Sequence, residues 1–326
     1  MKKRLLFVLL LLVTGCDDKN DIISDPLLSQ EQKRQLSNFL LTVKSQMVYM
    51  PEGTFLMGDF CSEMRNGGMF CTIDKNNKPV HRVELSAFSI SKFKITHENY
   101  DFYLNISGYP PQSYRGKNEN ELLMGMTMFK NGPAIVSWSE AEKYCMWLKK
   151  QTGLNFSLPT EAQWEYAARD KGKYIIIATD DGSLRYNKKN ELGENYATDE
   201  DRRNVRVSEG FISELVHFAV DKYPPSPAGL YGMADNGKEW VMDWYDPDWY
   251  TKSPLRDPQG PEQGVIKDKE TGQFFKVLRG ATRPAPGRPS GLTFSRSYQV
   301  PEPGYPAGIT ARCVVNDPHP LNIMAN

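Results

Sequence analysis

A chain of 326 residues with 40 basic and 40 acidic side chains carries no net formal charge, which removes the electrostatic basis for binding nucleic acid. Its length permits one large domain or two smaller ones. Its five cysteines and four histidines include no Cys-x-x-Cys and no histidine pair at helical spacing, which argues against a metal centre built on one short motif, although a spatial cluster stays open.

The chain opens with Lys2, Lys3 and Arg4, an apolar run from Leu5 to Val13, and then Thr14-Gly15-Cys16. The apolar run is short of the roughly 20 residues that a membrane-spanning helix needs. The order of basic, apolar and small segments resembles a bacterial lipoprotein signal, in which the cysteine, here Cys16, is diacylated and becomes the mature N-terminus. An ordinary secretory signal with an incidental cysteine is the alternative. Two acyl chains give the stable anchoring that one chain lacks. Asp17 and Asp18 resemble an inner-membrane retention signal, so the expected location is the periplasmic face of the envelope, with the inner membrane favoured over the outer.

In an oxidising compartment the remaining Cys61, Cys71, Cys145 and Cys313 suggest two disulfides, and spacing alone allows three pairings. Cys61 and Cys71 bracket a glycine-containing loop and are placed to close it locally, which would leave Cys145 for Cys313.

Residues 17–26 read as a polar tether. Ser29-Gln30-Glu31-Gln32 starts a helical pattern in which Leu36, Phe39, Leu40, Val43 and Met47 share a face; this helix either packs on the domain or stands as a spacer. The expected division is 1–15 signal, 16–46 lipidated tether and amphipathic helix, and 47–326 folded domain. Met47–Met50 and Thr54–Met57 read as a hairpin around Pro51-Glu52-Gly53, and His81 to Ile90 as one strand. Helices are expected from Thr96 to Asn105, from Ser137 to Gln151 and from Thr160 to Arg169, with Thr96, Ser137 or Ser139, and Thr160 as N-caps. Beyond Asp170 the sequence reads as loop-dominated.

Four ordered blocks resemble the formylglycine-generating enzyme (sulfatase-modifying factor) family. They are Met50-Pro51-Glu52-Gly53-Thr54-Phe55-Leu56-Met57-Gly58 with the run from Phe88 to Tyr100; Pro133 to Cys145 with Leu158-Pro159-Thr160-Glu161-Ala162-Gln163-Trp164-Glu165-Tyr166-Ala167-Ala168-Arg169; Gly229 to Trp240; and Val277-Leu278-Arg279-Gly280 with Ala311-Arg312-Cys313. The resemblance implies an α+β, C-type-lectin-like fold with sparse regular structure, and it pairs Cys145 with Cys313.

The family's oxygen-using members bind copper(I) through two cysteines in the last block, a soft-ligand chemistry. Matched without gaps, Ala285 and Ser290 occupy those positions here, so the resemblance implies a fold without its oxidase centre and no catalytic cofactor. It also implies a structural calcium at Asn236, Gly237 and Glu239, residue types that offer the oxygens a hard cation wants; a turn followed by a strand-capping glutamate is the plain alternative. A second calcium site at Asn195 and Asp199-Glu200-Asp201 competes with a solvated acidic loop.

Two clusters are candidate partner surfaces. Arg279, Arg283, Arg288 and Arg296 suit carboxylate or phosphate groups if they line a groove, and otherwise form ordinary pairs within the domain. Trp249 and Tyr250 close an aromatic run from Trp244 that a Pro-containing turn would partly expose. The expectation is a non-catalytic, membrane-tethered periplasmic protein that engages a protein partner, such as a toxic effector or an envelope or secretion component. An enzyme with a relocated site, using Arg283, Arg288, Ser290 or a nearby acid, is the competing class.

Overall fold

A computed structural model describes residues 28–64, 71–112, 121–211, 213–284, 291–304 and 307–321. Cys16, Ala285, Arg288 and Ser290 lie outside the described residues.

Helix α1 (Gln30–Ser45) starts at Ser29, whose hydroxyl accepts from Gln32 N while the Gln32 side chain accepts from Ser29 N. Its Leu36, Leu40 and Val43 are buried in one core with Tyr100, Tyr103, Tyr144 and Leu148. The helix is therefore part of the folded unit, whose edge moves from Met47 back to α1.

Strands β1 (Met47–Met50) and β2 (Gly53–Met57) do not pair with each other, which corrects the expected hairpin. They form one bent arm. The opposite arm, expected as a single strand, is divided into β3 (His81–Leu85) and β4 (Phe88–Ser91). β1 pairs with β4 and β2 with β3, both antiparallel, so the arms cross from one sheet to another at the same level. Pro51 interrupts the first arm, and Asp257 holds the corner of the second by accepting from Ser86 N and Ser86 Oγ, both at 2.7 Å. Gly53 is not a turn residue: a Cβ there would lie 2.3 Å from the Tyr166 hydroxyl, which packs on this bend.

The short helix α2 (Cys61–Met64) follows β2, and α3 (His97–Ile106) follows β4 with Thr96 as its N-cap. After α4 (Glu121–Thr127) comes α5 (Trp138–Thr152), which runs from a Ser137–Glu140 capping box to Gly153 in the left-handed region. Strand β5 (Phe156–Ser157) leads to α6 (Glu161–Ala168), capped by Thr160. All eight residues of α6 are buried.

Helix α7 (Asp199–Glu209) lies where an acidic loop was expected: Thr198 and Asp201 form its capping box and Gly210 ends it. Strands β6 (Glu239–Trp244), β7 (Lys276–Arg279) and β8 (Ser297–Gln299) make a three-stranded sheet. β9 (Val314–Val315) completes a four-stranded sheet of order β1-β4-β9-β5. Disulfides join Cys61 to Cys71 and Cys145 to Cys313, the latter tying α5 to the approach of β9 across a sequence separation of 168. Two tryptophans are structural: Trp138 and Trp240 donate to the carbonyls of Val241 and Val136, which sews the start of α5 to β6.

Candidate functional site

The last block forms β7 and then turns at Gly280, whose φ of +73° suits glycine. Arg202 on α7 donates to the Thr282 carbonyl, bringing that helix against the turn. Arg283 then reaches Asp199 at 2.8 Å and Glu214 at 2.7 Å. A cleft of about 320 Å³ opens here, in which Asp199, Glu200 and Glu214 face Arg202, Arg203 and Arg283. It has no single sign of charge, and most of its rim ions are partly solvated pairs of modest strength.

Arg279 and Arg296 of the expected cluster do not line this cleft. Arg279 and Arg296 are almost wholly buried on the far side of the turn, which corrects their assignment to a partner surface. Arg279 reaches Glu161 and Glu165, each at 2.7 Å, while Arg296 grips Glu161 at 2.6 and 2.9 Å. Arg169 adds a bond to Glu165 at 2.9 Å. Burial pushes the Glu161 carboxyl up, but Arg296 and Arg279 outweigh it and hold the group below its ordinary value.

Tyr250 is buried with its hydroxyl 3.3 Å from Glu161, and Trp249 packs half-buried on the same core, so Tyr250 is not part of an exposed aromatic patch. Sequence reasoning missed Glu161, Glu165 and Arg169 as a unit. Their four-residue spacing, which stacks three charges along one side of a largely apolar helix and its C-cap, was the available signal.

Asp243 lies beside this network and accepts from Glu161 N at 2.8 Å. Burial first, and then the Glu161 charge, raise its carboxyl to about 7. It is buried and is not among the residues that line the charged cleft.

The residues matched to a calcium site are spent on other partners. Asn236 Oδ1 accepts from Phe218 N at 2.8 Å and its amide donates to Phe218 O at 2.9 Å. The Gly237 carbonyl accepts from Lys94 Nζ at 2.5 Å. Glu239 takes Arg312 at 2.6 and 2.9 Å and Lys94 at 3.0 Å, all deep in the interior. These oxygens do not fit a divalent ion as they stand. At the second proposed site, Asn195 organises its own loop through Asp180 and the Ser183 carbonyl, while Asp201 caps α7.

The cysteines do not fit copper(I) either: all four beyond Cys16 are in disulfides, so none offers a thiolate. Among the described residues the one gathering of metal-ligating types is Asp59, Cys61 and Cys71. Its two sulfurs are bonded to each other, and Asp59 accepts from the amides of Cys61, Cys71 and Thr72. His97 and His217 are buried, and burial lowers the His217 imidazole to about 3, which keeps it neutral.

Comparison with known proteins agrees with this architecture. The chain is 29% identical over 277 residues to the serine/threonine-protein kinase pkn1 of Chlamydia caviae, a match covering 79% of the chain and 36% of that relative. It therefore spans about a third of that protein's length. It is 26% identical over 277 residues to the formylglycine-generating enzyme of Streptomyces coelicolor, covering 70% of the chain and 78% of the enzyme. The structure of PvdO from Pseudomonas aeruginosa superposes with a TM-score of 0.54 at 20% identity, covering 82% of this chain and 93% of PvdO, which shows a shared fold. Residues 33–301 match the sulfatase-modifying factor enzyme 1-like domain, and the chain belongs to that family.

Proposed function

We propose that this chain is a non-catalytic member of the family, held at the periplasmic face of the envelope by lipid on Cys16, and that it acts by binding a protein. The carrying observation is the state of its sulfur. Formylglycine formation as the oxygen-using relatives perform it needs two free thiols on copper(I). Here Cys61, Cys71, Cys145 and Cys313 are cross-linked, and a gap-free match of the last block puts Ala285 and Ser290 where the thiols would stand. Kinase activity is not carried over from the chlamydial relatives, since the shared stretch is 36% of the pkn1 protein.

With Arg279 and Arg296 buried, the partner surface narrows to the mixed-charge cleft around Arg283, Asp199 and Glu214. Interleaved charges of both signs select a complementary polar surface and disfavour uniformly charged polymers. Tethering raises the local concentration of such a binder, as an immunity protein against a periplasmic effector or an accessory of an envelope or secretion complex would require.

The test pairs chemistry with binding. The purified chain is expected to take up no copper(I) and to consume no oxygen with a cysteine-containing peptide. In cells, Cys16→Ala should abolish palmitate labelling. Arg283→Glu should abolish cross-linking to an envelope protein without altering the melting midpoint. Stoichiometric copper with peptide-dependent oxygen uptake would overturn the reading, as would a Cys16→Ala chain that is still acylated.

A further inference from the structure

Lys94 sits between β4 and α3, 2% exposed, with its ammonium inside the domain. Its oxygen partners are the Gly237 carbonyl at 2.5 Å and Glu239 Oε1 at 3.0 Å. A backbone carbonyl from a Gly-containing turn with a buried carboxylate is the kind of donor set that suits a hard cation. The turn is built for close approach: Asn236 has a φ of +63°, and a Cβ on Gly237 would lie 2.6 Å from Thr310 Cγ2. A side chain supplies the positive charge among these oxygens.

We propose that Lys94 is the resident cation of this turn, its ammonium standing where a divalent ion would otherwise sit between Gly237 O and Glu239, so that the folded chain requires no calcium. The charge count supports it. Glu239 already shares its two oxygens between Arg312 and Lys94, and a divalent ion added to them would place like charges side by side in a desolvated space. Removing the Lys94 head group would leave the Gly237 carbonyl and the Glu239 carboxylate around a space without its cation. The proposal is independent of what the protein binds: a failure at the Arg283 cleft would not touch it.

The test uses the full chain, purified in millimolar calcium and then dialysed. Wild-type protein is expected to carry no stoichiometric divalent metal, and a chelator should leave its melting midpoint unchanged. Lys94→Met should lower the midpoint by roughly 10 °C, the scale of breaking a buried ion pair in a domain of this size. Millimolar calcium should restore part of that loss in the variant while leaving the wild type unmoved. Stoichiometric calcium in the wild type, or a chelator-induced fall in its midpoint, would overturn the proposal, and that measurement stands even if Lys94→Met fails to fold. A variant destabilised to the same extent with and without calcium would also overturn it, leaving Lys94 a packing residue.

Discussion

Glu161→Gln is the most informative single substitution, because it changes one charge in the core at nearly constant volume. Three guanidinium groups, from Arg169, Arg279 and Arg296, share two carboxylates, Glu161 and Glu165, all within the core. Replacing Glu161 leaves three cations facing one anion. The glutamine amide also cannot reproduce the geometry, since both Glu161 oxygens accept from Arg296 and Oε1 additionally accepts from Arg279 at 2.7 Å. One end of the new side chain must present donors to donors.

Breaking a buried pair in this way costs about 3–5 kcal/mol. At roughly 2–4 °C per kcal/mol, the melting midpoint should fall by roughly 10 °C. The assay is thermal unfolding followed by tryptophan fluorescence at neutral pH, with urea unfolding alongside to confirm an unchanged m-value. The substitution also removes one of the two leading causes that raise Asp243, so the variant's stability should depend less on pH near neutrality. A variant within about 1 kcal/mol of wild type would refute the reasoning, because it would mean the network contributes nothing beyond its packing volume.

Asp243→Asn tests the same region by pH. The folded-state carboxyl is raised to about 7 from 3.8, so its contribution is complete below the unfolded value and is lost as pH rises towards 7. Urea midpoints of wild type should therefore fall between pH 4 and 7.5 more steeply than those of the asparagine variant, and parallel profiles would count against the assignment. Leu40→Ala should cost about 2–5 kcal/mol in urea unfolding, since Leu40 is buried against the domain; a change under about 0.5 kcal/mol would return α1 to the status of a spacer. Replacing Cys145 and Cys313 together by alanine should cost roughly 3–5 kcal/mol, more than replacing the Cys61–Cys71 pair, because the closed loop is far longer (a separation of 168 against 10); equal losses would point to strain or local packing instead.

Much of the fold was legible where local chemistry is self-sufficient. Ser29, Thr96, Ser137 and Thr160 announce helices because a hydroxyl three residues before an amide caps it whatever surrounds it. The local disulfide was legible for a similar reason: Cys61 and Cys71 flank a short loop that they can close. The family blocks carried the architecture and the pairing of Cys145 with Cys313.

The sheet crossing and the fate of the charges were decided elsewhere. Pro51-Glu52-Gly53 has the composition of a turn, yet Tyr166, more than a hundred residues away, packs on it and donates to the Pro51 carbonyl, and it becomes a bend between two sheets. Arg279, Arg283 and Arg296 are indistinguishable as residue types. Two are sealed in the core because Glu161 and Glu165 meet them there, and the third stays at the rim because its partners lie on α7 and at Glu214. Likewise Asn236, Gly237 and Glu239 compose a cation site in sequence, but Lys94 and Arg312 arrive from distant segments to claim its oxygens. Sequence alone settled what each side chain could bond to within a few residues; which charges leave water, and which partner each then meets, depends on segments that only the tertiary fold brings together.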